Sequence, residues 1–357
     1  MTSREMTITE FMISQQRCVP GATGEFTALL NHMRLACKRI SYLVGRGALA
    51  GAPGGAGAAM PDEAPMTLHR VANDIFLRTT EFGGDLAGMV SEELEDPYPI
   101  PEDYPRGRYL LFFDPLDGST NVDVNAPVGS IFSVLRAPRG TEPPAVADFL
   151  QAGTEQLGAG YAIYGPTTML VLTVGRGVHG FTLDRGFGEF VLTHPDMRIP
   201  EETCEFAINA SKERFWEPPV KRYVAECLAG KSGVRGKDFN MRWIASLVAE
   251  AHRILIRGGL CMVPQDKKDP ARAGRLRLLY EANPIAMLIE QAGGAASTGR
   301  SRVLELPPTG LHQRVPLVLG CKSEVERIER YHLEHDRGLD TVYRSPLFKE
   351  RSLFIDE

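Results

Sequence analysis

Nowhere does the chain string together the roughly 20 apolar residues that a helix needs to cross a bilayer, so no membrane-spanning segment is expected. The first ten residues include Glu5 and Glu10 and lack an apolar core, so no secretory leader is expected there and a cytoplasmic location is the default reading. Excess positive charge is lacking too. A formal net charge of −5 leaves no electrostatic case for a nucleic-acid partner. The cysteines (Cys18, Cys37, Cys204, Cys227, Cys261 and Cys321) include no C-x-x-C pair and no metal-finger spacing, so they are expected to be buried, reduced thiols. No internal repeat is visible. What remains is an ordinary globular composition, 43% hydrophobic and 24% charged, and 357 residues suffice for one large or two medium domains.

Leu29, Leu30, Met33, Ala36, Cys37 and Ile40 recur at helical spacing, which predicts a helix over residues 23–44 that Thr23 or Thr27 could cap. Residues 45–61, dense in Gly, Ala and Pro, predict a loop that serves either as a connector or as a lid over an active site. A second helix is expected over 67–80. The apolar run from Tyr109 to Asp114 suits a buried strand that delivers Asp114 at its tip. Further strands are expected over 131–136, 160–164, 169–174, 177–183 and 189–192, forming a large, partly antiparallel sheet. The composition changes near residue 200. Beyond it we expect strands at 206–209 and 276–280 and helices at 219–228 and 243–251. Another helix should begin at Asn283-Pro284 and close at Gly293-Gly294. Two domains (1–200 and 201–335) and a polar tail (336–357) follow.

The densest chemistry lies in the segment DPLDGSTN at residues 114–121. Asp114 and Asp117 can converge on hard cations, Pro115 stiffens the turn between them, and Leu116 can offer its carbonyl oxygen. Gly118, Ser119 and Thr120 follow with backbone N–H groups and hydroxyls suited to a phosphate. D-P-x-D-G is also ordinary turn chemistry, but a plain turn needs neither the preceding buried strand nor the trailing S-T-N. Glu92 and Glu93 end the apolar run 86–90, and Glu281 ends 276–280; each alone would pass as a solvated acid. Together the five acids would hold two or three divalent ions, because crowded carboxylates need cations or protons between them.

Residues 114–121, with Ser91, Glu92 and Glu93 before them, resemble the signature of the lithium-sensitive phosphatases. The stretches ATGEFTALLN (22–31), GYAIYGPTTMLV (160–171) and GRLRLLYEANP (274–284) narrow the resemblance to class I fructose-1,6-bisphosphatases of the bacterial, Calvin-cycle type, over roughly residues 8–333. The resemblance implies an α/β fold layered α-β-α-β-α, a homotetramer, and Mg²⁺-dependent release of the 1-phosphate of fructose 1,6-bisphosphate, with Mn²⁺ as an alternative ion. Sedoheptulose 1,7-bisphosphate is the alternative or additional substrate, and a metabolite-binding regulator with little turnover is a third reading. It also implies roles for single residues. Glu92, Asp114, Asp117, Glu281 and the Leu116 carbonyl bind metal, and Glu93 shares that site and helps activate water. Asp117, Gly118, Ser119 and Thr120 hold the 1-phosphate end, while Asn209, Arg242 and Arg275 hold the 6-phosphate, Arg242 from a neighbouring subunit. Thr23, Gly24, Glu25 and Thr27, with Arg108, Tyr109 and Arg136, resemble the family's AMP site; an ordinary capped helix is the alternative.

The chain also departs from the family pattern. His69 stands where an acid that takes part in water activation is expected, so it is either a general base or a tolerated replacement at a helix end. The loop's other acid corresponds to Glu63. Trp243, Val263 and Lys212 occupy positions where the family often has tyrosine, and Arg275 replaces a common lysine. Residues 137–160 contain no cysteine, so the chloroplast type of redox control is not expected.

Overall fold

The protein is described from a computed structural model, in which residues 6–18, 23–47, 67–265, 267–268 and 273–339 are placed. The expected loop beyond Gly47, Glu63 and the tail from residue 340 lie outside the described residues.

Five layers are stacked. The first holds α1 (Ile8–Arg17), α2 (Glu25–Arg46) and α3 (Leu68–Thr80). These cover one face of an eight-stranded sheet built from β1 (Leu86–Ser91), β2 (Tyr98–Pro99), β3 (Tyr109–Asp117), β4 (Val128–Arg136), β5 (Gly158–Tyr164), β6 (Thr168–Thr173), β7 (His179–Asp184) and β8 (Glu189–His194). Its spatial order is β2-β1-β3-β4-β5-β6-β7-β8; only the β1/β3 pair is parallel among its neighbours. A short helix α4 (Val146–Phe149) and α5 (Pro218–Leu228) come next in the chain, followed by α6 (Leu247–Arg257), α7 (Asn283–Gln291) and α8 (Lys322–Asp336). The second sheet runs β10-β9-β11-β15-β13, from β9 (Glu205–Ile208), β10 (Asn240–Met241), β11 (Leu260–Val263), β13 (Ala295–Ser297) and β15 (Leu317–Gly320); β12 (Leu276–Arg277) pairs separately with β14 (Arg314–Val315).

Side-chain alternation explains the stacking. On β5, Ala162 and Tyr164 meet the α1–α3 layer, whereas Ala159 and Tyr161 point the other way, into a core shared with α6 and α7. Ala207, Cys261, Leu317 and Leu319 of the second sheet enter that same core from the opposite side. Their chain neighbours Phe206, Ile208, Leu260, Met262 and Val318 face outward onto α5 and α8. Helices α6 and α7 therefore form a middle layer between two sheets, giving the α-β-α-β-α order. Being covered on both sides, α7 is apolar almost all round: every residue from Asn283 to Ile289 is buried.

Several local expectations are corrected. Helix α2 spans Glu25–Arg46, and its N-cap is Gly24 at φ 90°, with no side-chain cap from Thr23 or Thr27. Residues 243–246 precede α6 rather than begin it; Ala245 lies at φ 63° and Ser246 is the cap, its side chain accepting from the Ala249 N–H. The apolar run 276–280 is extended only at Leu276 and Arg277, where β14 pairs with it. From Leu278 to Ala282 the chain coils into a π turn, because Leu279 and Tyr280 fold onto Leu110 and Phe112 of β3 instead of continuing a ladder. That turn runs directly into α7, so Asn283 is a helical residue and not a cap. Cys18 and Cys204 are exposed; the other four cysteines are buried as expected.

Leu288 is fully buried in the middle layer. Leu288→Ala is expected to cost about 2–5 kcal/mol of unfolding free energy, measurable as a lowered urea midpoint.

Candidate active site

Asp117 lies three positions beyond Asp114, which in a regular strand would place them on opposite faces. The register shows how they come together. Asp114 sits opposite Ile131 and Asp117 opposite Gly129, so three steps along β3 match two along β4. The extra residue is a β-bulge, and it restores both acids to one side. Ser130 Oγ donates to the Pro115 carbonyl at 2.8 Å, which ties the bulge to β4. The Leu116 N–H donates to Asp114 Oδ1 at 2.9 Å. On Asp117, one oxygen accepts from Ser246 Oγ at 2.6 Å and from the Val248 N–H at 2.8 Å, so the first turn of α6 aims this carboxylate.

Glu281 arrives from the π turn, with the Arg277 N–H donating to its carboxylate. Asp114, Asp117 and Glu281 are all buried, and each places a carboxylate oxygen within 4.8 Å of the others. Glu92 adjoins Asp114 from the end of neighbouring β1, where its N–H donates to the Phe113 carbonyl at 3.2 Å. Glu93, one residue on, is exposed, with its N–H on Ser91 Oγ at 3.2 Å. Ser91 Oγ in turn donates to Asn73 Oδ1 of α3 at 2.7 Å, so the turn bearing both glutamates rests on that helix. His69 lies half-buried in the first turn of α3, four residues before Asn73 and on the same face.

Burial, reinforced by the negative charge of Glu92, holds Asp114 and Glu281 well above the usual carboxylate range. Burial also raises Asp117 and Glu92, opposed at Asp117 by the hydrogen bonds from Ser246 and Val248 and at Glu92 by the Arg277 guanidinium. An all-oxygen donor set, concentrated and short of protein cations, fits hard divalent ions.

Just past the bulge, Gly118 lies at φ 73°, and a Cβ there would sit 2.6 Å from Ser246 Cβ. Both conformation and space require glycine. Ser119, Thr120 and Asn121 then make one 3₁₀ turn, and Asn121 Nδ2 donates to the Pro127 and Ile244 carbonyls at 3.0 and 2.9 Å. Asn121 thus staples the Gly-Ser-Thr turn to the segment that caps α6.

Asp117 also forms part of the wall of a cavity of about 190 Å³. Asn209, Lys212, Trp243, Val263 and Arg275 line it as well. Arg242 stands outside this lining, with its Nε donating to Glu205 at 2.8 Å. A second cavity, of about 340 Å³, opens on the far side of the large sheet at the start of α2. Thr23, Gly24, Thr27, Arg108, Tyr109 and Arg136 line it together with Gln16 and Arg176. Glu25 does not; its carboxylate pairs with Arg108 at 2.7 Å. Sequence reasoning missed Ser246, Asn73 and Arg277. The first had a readable signal, a serine just ahead of an apolar helical run, whereas nothing in the sequence pairs Asn73 with Ser91.

Comparison with known proteins agrees with this architecture. The chain matches the family model for the N-terminal domain of fructose-1-6-bisphosphatase over residues 6–195 and that for the C-terminal domain over 199–333. It belongs to the fructose-1,6-bisphosphatase family. A class 1 fructose-1,6-bisphosphatase from Hydrogenophilus thermoluteolus is 61% identical over 353 residues, 98% of each chain. One from Methylibium petroleiphilum is 60% identical over 356 residues, 99% of each. Among solved structures, fructose-1,6-bisphosphatase of Leishmania major in its T-state superposes with a TM-score of 0.83 at 37% identity, covering 92% of this chain and 99% of that one. The holo form of the same enzyme gives 0.82 at 38% identity, with the same coverage. Both relatives are matched over almost the whole chain, a span that takes in the site segments and the elements between them.

The raised carboxylates set the pH response of protein stripped of divalent cations with a chelator. A folded-state pKa above the unfolded value contributes stability fully below the ordinary carboxylate range, and that contribution is lost as pH rises through the shifted one. The melting temperature of stripped protein is therefore expected to fall from mildly acid to neutral pH, and Mg²⁺ to restore it most at the higher pH. Asp114→Asn should flatten this pH dependence in calorimetry.

Proposed function

We propose that this chain hydrolyses the 1-phosphate of fructose 1,6-bisphosphate, releasing fructose 6-phosphate and phosphate. The observation that carries this reading is the junction at Asp117. One carboxylate belongs both to the buried acidic cluster and to the wall of a cavity carrying cationic side chains. A substrate with a phosphate at each end suits that arrangement. Asp114, Asp117, Glu281 and Glu92, with the Leu116 carbonyl, would hold two or three Mg²⁺ ions, with Mn²⁺ as a substitute. Such ions, when bound, neutralise phosphoryl charge and acidify water.

The protein's own groups do the rest. Gly118, Ser119 and Thr120 orient the 1-phosphate through the N–H groups and hydroxyls of their turn. Asn209, Lys212 and Arg275 receive the distal phosphate and fix the distance between the two ends. Glu93, exposed beside the buried acids, takes the proton of the attacking water, and His69 supplies a second basic group nearby in place of the expected acid. In this reading residues 1–200 carry the cation ligands and the 1-phosphate turn, and residues 201–335 carry most of the sugar and distal-phosphate contacts. In a homotetramer Arg242 would leave Glu205 to serve the neighbouring subunit's substrate.

The α2 cavity has a different chemistry. Its helix N-terminus with a glycine cap, its arginines and the Tyr109 ring suit a nucleoside monophosphate. We read it as an AMP effector site, with Arg136 as a contact to the nucleoside.

Phosphate release tests the main reading. Asp117→Asn keeps an oxygen to accept from Ser246 and Val248, so the fold should persist while turnover falls by on the order of 10³-fold, the scale of losing one preorganised charge partner. Full activity in that variant would refute the site. If fructose 1,6-bisphosphate were inert while sedoheptulose 1,7-bisphosphate turned over, the substrate assignment would move to the larger sugar. For the effector site, Arg136→Gln should raise the AMP concentration for half-inhibition by about 10-fold, the loss of one charged hydrogen bond, without changing turnover in its absence.

A further inference from the structure

The acidic cluster is assembled from two independent parts of the chain, and they repel each other. Glu92 and Asp114 are fixed relative to one another by a sheet ladder, Ser91 opposite Phe113 on β1 and β3. Glu281 comes from the π turn that leads into the middle helical layer. Nothing in the β1/β3 ladder sets its separation from the Glu92 turn. Yet the negative charge of Glu92 is, after burial, the largest influence on Glu281. An attachment is needed beside this boundary that does not itself carry negative charge into it.

The His312 side chain hydrogen-bonds to both sides of the boundary. His312, in the loop before β14, uses both ring nitrogens. Nε2 lies 2.9 Å from the carbonyl oxygen of Glu95, two residues beyond Glu93. Nδ1 lies 2.7 Å from the hydroxyl of Tyr280, the residue before Glu281. A carbonyl only accepts, so Nε2 carries a proton, and in the neutral ring Nδ1 is then the acceptor and Tyr280 the donor. The neutral ring is thus held in one tautomer between Tyr280, next to Glu281, and the Glu95 carbonyl, two residues beyond Glu93. Tyr280 is itself fully buried, and its ring meets the imidazole edge-on at 5.9 Å between centroids. The backbone of the same loop closes the connection from below: Arg277 Nη1 donates to the His312 carbonyl at 3.0 Å, and the Leu278 N–H donates to the Gln313 carbonyl at 2.8 Å. On its other side, the Glu92–Glu93 turn is already held by Ser91 and Asn73.

We propose that His312 is a positioning residue for the cation site, clamping the segment just after the Glu92–Glu93 turn to the Tyr280–Glu281 turn so that cation affinity depends on its two hydrogen bonds. The proposal rests on the reading of the carboxylates as cation ligands. His312 is outside the lining of the distal cavity, and both of its ring nitrogens are taken by protein groups. Its effect is on the spacing of the carboxylates, and so it belongs to binding of the cation rather than to the chemical step.

The test uses the full-length protein and Mn²⁺ as the probe, read directly by electron paramagnetic resonance of free Mn²⁺ and, separately, by activation of phosphate release. His312→Ala is expected to weaken Mn²⁺ binding by about 10-fold, the lower end of what loss of a supporting contact costs a metal site. Tyr280→Phe, which removes one hydroxyl and keeps the buried ring, should weaken it less. His312→Gln, whose amide can still donate to the Glu95 carbonyl, should recover part of the loss. The Michaelis constant for sugar bisphosphate at saturating Mn²⁺ should stay within about 2-fold, because the distal cavity is untouched. An unchanged Mn²⁺ isotherm in folded His312→Ala would overturn the proposal. If that variant fails to fold, an unchanged isotherm in Tyr280→Phe decides against it equally. Failure of the wild-type protein to bind Mn²⁺ at all would instead overturn the reading of the cluster on which the clamp depends.

Discussion

Like charge confined to a buried space is the constraint around which this site is built. Asp114, Asp117 and Glu281 would each be more comfortable in water, and the charges of Glu92 and Asp117 raise the proton affinity of Asp114 and Glu281 further. The fold tolerates them because every neighbouring element spends hydrogen bonds on orienting them: the bulge in β3, the capped start of α6 and the N–H of Arg277. None of these cancels a full charge. The site is left with an appetite for cations that the polypeptide alone cannot satisfy, and this is what a hydrolytic site for a doubly charged ester requires.

Layering places that appetite where it can be used. The acids gather at one end of the large sheet, and α6 reaches them from the layer beneath. Asp117 accepts from α6, while α6 also packs against the second sheet, which supplies Ile208, Cys261, Met262 and Val263 to the wall of the distal cavity. The two ends of a bisphosphate would therefore be gripped by elements joined through one helix. Ala245, held at φ 63° just before the Ser246 cap, marks where the chain bends sharply to make that junction.

Much of this was readable in the amino-acid order. The period of α2 and the apolar run of β3 place real buried faces, and the DPLDGSTN segment brings the carboxylates of Asp114 and Asp117 together. Glu281 was legible as a residue but not in its setting. Leu276 to Tyr280 has the composition of a strand, and only its packing on Leu110 and Phe112 turns it into a π coil. Arg242 shows a different limit. Its guanidinium looks like a phosphate ligand from sequence, yet in a single chain the nearest anion is Glu205, because a side chain takes the partner that the local fold supplies. The Asn73–Ser91 and His312–Glu95 contacts join segments 18 and 217 residues apart, and no local pattern encodes such meetings.

The helical layer shared by the two sheets has a consequence for how the molecule can be divided. Severing the chain near residue 200 would leave the large sheet with Ile131, Tyr161 and Val171 facing nothing, and would strip α6 and α7 of half their cover. Separately produced halves should thus be poorly soluble alone and recover a folded body only when made together. Evolution could vary the loops at either rim freely, but it inherits the two sheets as one inseparable unit.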